Sequence, residues 1–192
     1  MPMSPPSTPK IAIIVLNWNG KQDTLACLTS LMAIHYPVLD IILVDNGSTD
    51  GSVSVIKEQF PNVHCIELPS NVGFAAGNNA GIEYALNQNA QFFLLLNNDT
   101  VVAPDLLDHF MDAFAQHPQA GIIGARIYLF DKKDTLDHLG GIWLKKQADV
   151  RLIGFHESDG PPDLAALPAL GYGKIRQDAH QKKDQDGSSL SP

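Results

Sequence analysis

From residue 11 onward, apolar runs of strand length alternate with segments of helical period. Residues 11–16 are continuously apolar and rich in β-branched side chains, the pattern of a strand buried on both faces. Between about 21 and 34, Leu25, Leu28, Leu31 and Met32 fall on one helical face. Residues 41–44 predict a second strand, and 50–60 a helix with Val53, Ile56 and Phe60 turned inward. A strand at 63–68, a helix at 75–86 and a strand at 92–96 follow. Pro104 suits the first position of a helix running to about Gln116, where its missing N–H is not needed. Residues 121–129 read as a further strand. This order predicts an α/β layered fold with a mostly parallel central sheet.

The pattern weakens after about Asp131. Residues 136–143 suit a hairpin strand around Gly140 and Gly141, and 150–155 another. Residues 161–168 read as loop, and the last 22 residues are polar, without apolar period. The expected organisation is a disordered Pro/Ser-rich leader over 1–9, one domain over 10–155, and an irregular loop with a disordered tail over 156–192.

Charge narrows the function classes. Thirteen Lys plus Arg against 21 Asp plus Glu leave a net charge of -8, which argues against a coat for nucleic acid or anionic lipid. Two isolated cysteines, Cys27 and Cys65, exclude a disulfide scaffold or structural zinc site and suit buried thiols in a reducing compartment. No apolar run approaches the length of a membrane span, and the leader lacks a signal-peptide core. A cytoplasmic protein, with a place at the inner face of the membrane left open, is the expectation.

In a parallel α/β sheet, ligands gather beyond the carboxyl ends of the strands. Four successive strands here end in Asn/Asp/Gly clusters: Asn17-Trp18-Asn19-Gly20, Asp45-Asn46-Gly47-Ser48-Thr49-Asp50, 71–81, and Asn97-Asn98-Asp99-Thr100. Each has an ordinary explanation. Ser48, Thr49 and Asp50 suit helix caps, Asn46-Gly47 a turn, and Gly73, Gly77 and Gly81 a helix lying close on a sheet. Together they have the parts of a nucleotide-diphosphate site. Asp45 can accept an imide N–H of a pyrimidine base, and Trp18 offers that base a flat face. Asp99 is a hard oxygen ligand for Mg²⁺ or Mn²⁺ against a diphosphate. Asn78 and Asn97 can bond ribose hydroxyls or phosphate oxygens without adding charge. A phosphorylated receiver domain would need an acidic pair where Asn17 and Asn19 stand, and a nicotinamide enzyme would need a Gly-rich turn after the first strand.

The strings KIAIIVLNWNG, IILVDNGSTDGS, NVGFAAGNNAGIEYA and FFLLLNNDTVVAPDLL resemble the successive signatures of family 2 glycosyltransferases. The Asn-Asn-Asp form and the later LDHLGG are most similar to the rhamnosyltransferase-like branch. The resemblance covers about residues 10 to 155 and implies the GT-A fold. It implies a nucleotide-sugar-binding set of Asn17, Trp18, Asp45, Gly73, Asn78, Asn97 and Asn98, with Asp99 as the ligand of Mg²⁺ or Mn²⁺. Trp18 stands at the base-stacking position, Asp45 at the base-reading one, and 97–99 at the D-x-D motif. Asn78 departs from the arginine of many members, and Asn97 from the first Asp of the motif, which leaves the donor open between dTDP-rhamnose and UDP-sugar types. The implied reaction moves a sugar to a glycan or lipid-linked acceptor in surface polysaccharide synthesis. Peripheral membrane association is compatible with it. No catalytic base can be assigned: Glu157, Asp159 and Asp163 have nothing in their setting to single one out, and His138 could line the acceptor side. The chain reads as truncated after the donor-binding half, so the alternative is a non-catalytic nucleotide-sugar-binding remnant.

Overall fold

The computed structural model describes residues 8–132 and 134–138, together with the backbone course of strands at 140–144, 149–153 and 174–177. Residues 1–7 of the leader, the loop at 161–168 and the carboxylates Glu157, Asp159 and Asp163 lie outside the described residues.

Four parallel strands form the central sheet: β1 (Ile11–Asn17), β2 (Leu39–Asp45), β3 (His64–Glu67) and β4 (Phe92–Asn97), in the order β3-β2-β1-β4. The helices α1 (Lys21–Leu31), α2 (Ser52–Gln59) and α3 (Phe74–Asn87) make the crossovers between them. Strand alternation divides the core. Ile11, Ile13, Val15 and Leu43 pack with Cys27, Leu28, Leu31 and Ile56, and with Leu106, Leu107 and Phe110 of α4 (Leu106–Gln116). Ala12, Ile14, Ile42 and Val44 face Ala85 of α3 on the other side. Both faces of β1 are thus covered, which is why its sequence is continuously apolar.

Helix α3 lies unusually low on the sheet. A Cβ added at Gly77 would meet Leu16 Cδ1 at 2.5 Å, and one at Gly81 would meet Ile14 Cγ2 at 2.6 Å and Val44 Cγ2 at 3.0 Å. The expected close helix-on-sheet contact therefore holds for these two glycines. Gly73 is different: nothing lies within 4 Å of its Cβ position, and its φ of +88° makes it a backbone requirement at the helix N-terminus.

Several later elements differ from the sequence expectation. A short strand β5 (Thr100–Val102) follows the Asn97-Asn98-Asp99 turn directly. Helix α4 begins at Leu106 with Asp105 at its N-cap, two residues beyond the position expected from Pro104. Only β6 (Arg126–Leu129) forms within 121–129, and Ile122 is 92% exposed. The 136–143 stretch divides into β7 (Leu136–His138), antiparallel to β6, and β8 (Gly140–Leu144), which pairs with β9 (Asp149–Ile153). Within 156–192, expected to be irregular, β10 (Lys174–Gln177) lies between β5 and β6 in a second sheet of order β5-β10-β6-β7.

Candidate functional site

Strand register gathers the candidate residues. Asn17 lies opposite Asp45, Leu16 opposite Asn97, and Asp45 opposite Glu67, so the carboxyl ends of all four strands finish at one edge. Asp45 is 3% exposed. Its Oδ1 accepts from Asn17 Nδ2 at 2.8 Å and its Oδ2 from the Ser48 N–H at 2.9 Å. Each carboxylate oxygen keeps acceptor capacity beyond that one bond. An open cavity of about 270 Å³ adjoins it, bounded by Ser48, Ser52, Glu67, Leu68 and Pro69 among others. Trp18 is 55% exposed on the turn after β1 and is not part of that lining.

Asn17 departs from the expected ligand-contacting role. Its side chain is fully buried beneath the edge. The two amide hydrogens are shared among Asp45 Oδ1 and the hydroxyls of Ser48 (3.1 Å) and Ser52 (2.9 Å). Its oxygen accepts from the Gly20 N–H (3.1 Å), Thr24 Oγ1 (2.9 Å) and Asn98 Nδ2 (3.5 Å). Asn78 is likewise sealed, at 4% exposed, and its amide donates to the Phe74 carbonyl one turn back at 2.9 Å. The Asn17 amide is thus engaged entirely within the fold, and the Asn78 amide at least in part.

Sequence reasoning took Asn46 as part of a plain turn, yet it organises the neighbouring loop. Its buried amide donates to Asn71 Oδ1 at 2.9 Å, with the Gly73 carbonyl at 3.4 Å, and its oxygen accepts from the Val72 N–H at 2.9 Å. Gly47, with φ at +76°, lets this loop approach: a Cβ there would lie 2.6 Å from Ser70 Cα. Ser48, legible only as a cap, and Ser52, which the sequence did not single out, are acceptors for Asn17. The N-cap of α2 is Gly51, and Asp50 accepts from the Ser52 N–H at 2.9 Å and the Lys21 N–H at 3.0 Å. Burial would raise the Asp50 pKa, but these bonds and the Lys21 charge outweigh it and hold the carboxyl below its usual 3.8.

The Asn97-Asn98-Asp99 tip joins β4 to β5. Asn97 is exposed, whereas Asn98 and Asp99 are half-buried. Asn98 Nδ2 donates to Thr24 Oγ1 at 2.9 Å, and Thr100 Oγ1 closes the turn onto the Asn97 carbonyl at 2.7 Å. Among the described residues no three His, Cys, Asp or Glu side chains converge as a complete metal cage. The donor chemistry fits a hard ion all the same. One carboxylate flanked by amide oxygens is the protein share expected for Mg²⁺ or Mn²⁺ that takes its remaining ligands from diphosphate and water. The nearest soft donor, Cys27, is pushed up to about 12 chiefly by burial, so it supplies no thiolate there.

The sequence profile of the family described as glycosyl transferase family 2 matches residues 12–167. Similar curated proteins include the Escherichia coli K12 uncharacterized glycosyltransferase YibD, 32% identical over 108 residues, covering 55% of this chain and 30% of that protein. The Mycobacterium tuberculosis N-acetylglucosaminyl-diphospho-decaprenol L-rhamnosyltransferase is 30% identical over 130 residues, covering 62% and 42%. This chain therefore spans well under half the length of either. Among solved structures, S. aureus TarS 1-349 in complex with UDP-GlcNAc superposes with a TM-score of 0.57 at 20% identity, covering 64% of this chain and 35% of that one. The Pyrobaculum calidifontis mannosyltransferase PcManGT, in complex with GDP-Man and Mn²⁺, gives 0.52 at 22%, covering 63% and 35%. At those identities the likeness shows a shared fold.

Proposed function

Because this chain belongs to glycosyl transferase family 2 and has the GT-A fold, we propose that its β1–β4 edge binds the nucleotide diphosphate of a sugar donor, with Mg²⁺ or Mn²⁺ held at Asp99. The observation that supports this most is the arrival of the Asp45 carboxylate and the Asn97-Asn98-Asp99 tip at one edge, joined by continuous hydrogen bonds through Thr24 and Asn17.

In this reading Asp45 accepts the imide N–H of the base through a lone pair left by Asn17 and Ser48. The exposed Trp18 ring stacks on the base, and the exposed Asn97 amide meets the ribose. When bound, the cation neutralises charge developing on the departing diphosphate. Asn98 and Thr100 keep the tip in place while that charge develops. The donor is of the dTDP-rhamnose or UDP-sugar type, in keeping with the rhamnosyltransferase relative and the UDP-GlcNAc complex of the similar fold. The acceptor is a glycan or a lipid-linked glycan of surface polysaccharide synthesis. No helix among the described residues is long and apolar enough to cross a membrane. A lipid-linked acceptor would be met by peripheral association at the cytoplasmic face.

Thermal-shift titration with UDP, dTDP and GDP, each with and without Mn²⁺, tests the reading. Binding to the native state alone adds about 2.7 kcal/mol at a hundredfold excess over Kd. A metal-dependent shift with one nucleotide is expected. Asp99→Ala should abolish the metal-dependent part, and Asp45→Ala should weaken binding with or without metal. A cooperative melt that no nucleotide shifts would refute the proposal. Binding without sugar transfer to any glycan acceptor would mark a nucleotide-sugar-binding domain only.

A further inference from the structure

Asn17 touches no solvent, yet its side chain reaches both ends of the candidate site. Toward the base, its amide fixes Asp45 Oδ1 and the two serines that open α2. Toward the metal, its oxygen receives Thr24 Oγ1 at 2.9 Å, which itself receives Asn98 Nδ2 at 2.9 Å; the direct contact from Asn98 Nδ2 to Asn17, at 3.5 Å, is the longest of the three. The bonds run in one direction: Asn98 donates to Thr24, Thr24 to Asn17, and Asn17 to Asp45. A fully buried amide with both ends satisfied has little freedom to turn, because turning would orphan donors and acceptors out of reach of water. Moving the Asn98 tip therefore strains the bond that orients Asp45, and the reverse.

We propose that Asn17 is a positioning residue that couples the base-reading carboxylate to the metal-binding tip, with Thr24 as the intermediate. The proposal rests on the nucleotide-diphosphate reading of this edge. The pair sets Asp45 and Asn98 for their ligands while contacting neither ligand.

The test compares nucleotide Kd, with and without Mn²⁺, for the unsubstituted chain, Asn17→Ala, Thr24→Val and Leu31→Ala. Leu31 is buried at the far end of α1 and serves as a control for lost stability alone. All titrations are run well below each variant's melting temperature. Asn17→Ala should weaken metal-free nucleotide binding about tenfold and reduce the gain that Mn²⁺ confers by a similar factor. Thr24→Val keeps the shape and removes the relaying hydroxyl, so it should reduce the Mn²⁺ gain and leave metal-free binding within about threefold. Leu31→Ala should lower the melting temperature with Kd and Mn²⁺ gain unchanged. Nucleotide binding in the unsubstituted chain with unchanged values in Asn17→Ala overturns the coupling and leaves the site reading standing. Should Asn17→Ala not fold, an unchanged Mn²⁺ gain in Thr24→Val overturns it alone. If the unsubstituted chain binds no nucleotide, the site reading fails and the coupling with it.

Discussion

The same substitution at two neighbouring turns of α3 should act differently, and the structure says by how much. Replacing a mid-helix glycine with alanine favours the helix by about 1 kcal/mol through lost unfolded-state freedom. At Gly77 the added carbon runs into Leu16 Cδ1 at 2.5 Å. Leu16 is only half-buried and the contact is with its distal methyls, so a rotamer adjustment of about 0.5–1.5 kcal/mol relieves it. Gly77→Ala should therefore be close to neutral. At Gly81 the carbon meets Ile14 Cγ2 at 2.6 Å and Val44 Cγ2 at 3.0 Å, both on fully buried strand residues. Branching at Cβ leaves these side chains stiff at χ1, and overpacking of such a core costs about 1–3 kcal/mol. Subtracting the helix gain leaves Gly81→Ala destabilised by about 1 kcal/mol, a few degrees of melting temperature for a domain of this size. Urea denaturation of both variants reads the difference directly. Gly81→Ala as stable as Gly77→Ala, or more so, would refute the claim that α3 is seated by glycine contacts on β1 and β2.

Two further outcomes follow from single residues. Asp50 has a folded pKa below 3.8, so its stabilising contribution is fully present above that pH and disappears as pH falls through the lower folded value. The stability difference between the chain and Asp50→Asn should thus shrink on acidification below about 3.8, and an undiminished difference at the bottom of the acid limb contradicts it. Cys27 is fully buried and Cys65 half-buried. Alkylation should modify Cys65 first and reach Cys27 only on unfolding, and native-state mass spectrometry showing Cys27 modified alongside Cys65 would contradict the packing of α1 on β1.

The centre of the main sheet was legible because β1 and the second half of β2 are buried on both faces, whereas β3 and one face of β4 are partly exposed. The run from Ile11 to Leu16 can be little else, and Gly77 and Gly81 signalled a helix pressed onto it. Elements that depend on distant partners were not legible. Strand β5 has three residues and β10 four, too few for a period to show, and they exist by pairing with each other across more than seventy positions. The apolar stretch at 121–123 misled in the opposite direction, since Ile122 is almost wholly exposed. At the site, Asp45 and Asp99 could be picked out by chemistry, as carboxylates at strand ends. The asparagines could not be sorted. An amide has the same composition whether it faces a ligand or the interior, and only packing separates the exposed Asn97 from the sealed Asn17, Asn46 and Asn78.

That sorting bears on why this edge uses amides at all. The described carboxylates there, Asp45, Asp50, Glu67 and Asp99, face two lysines, of which Lys57 is bonded to Glu67 and Lys21 lies beside Asp50. In a chain of net charge -8, a diphosphate approaching such an edge meets repulsion before it meets a partner. Buried arginines in place of Asn17 and Asn46 would supply attraction, but a desolvated charge is costly unless fully paired, and Asp45 alone could not pair two. Neutral amides avoid that cost, and each offers both donor and acceptor to hold adjoining loops in register. The described carboxylates of this edge outnumber its described lysines, and the Asp99 tip is where a hard divalent cation can supply the attraction a diphosphate needs. The structural use of asparagine beneath the edge and the proposed dependence on Mg²⁺ or Mn²⁺ above it are thus two consequences of one distribution of charge.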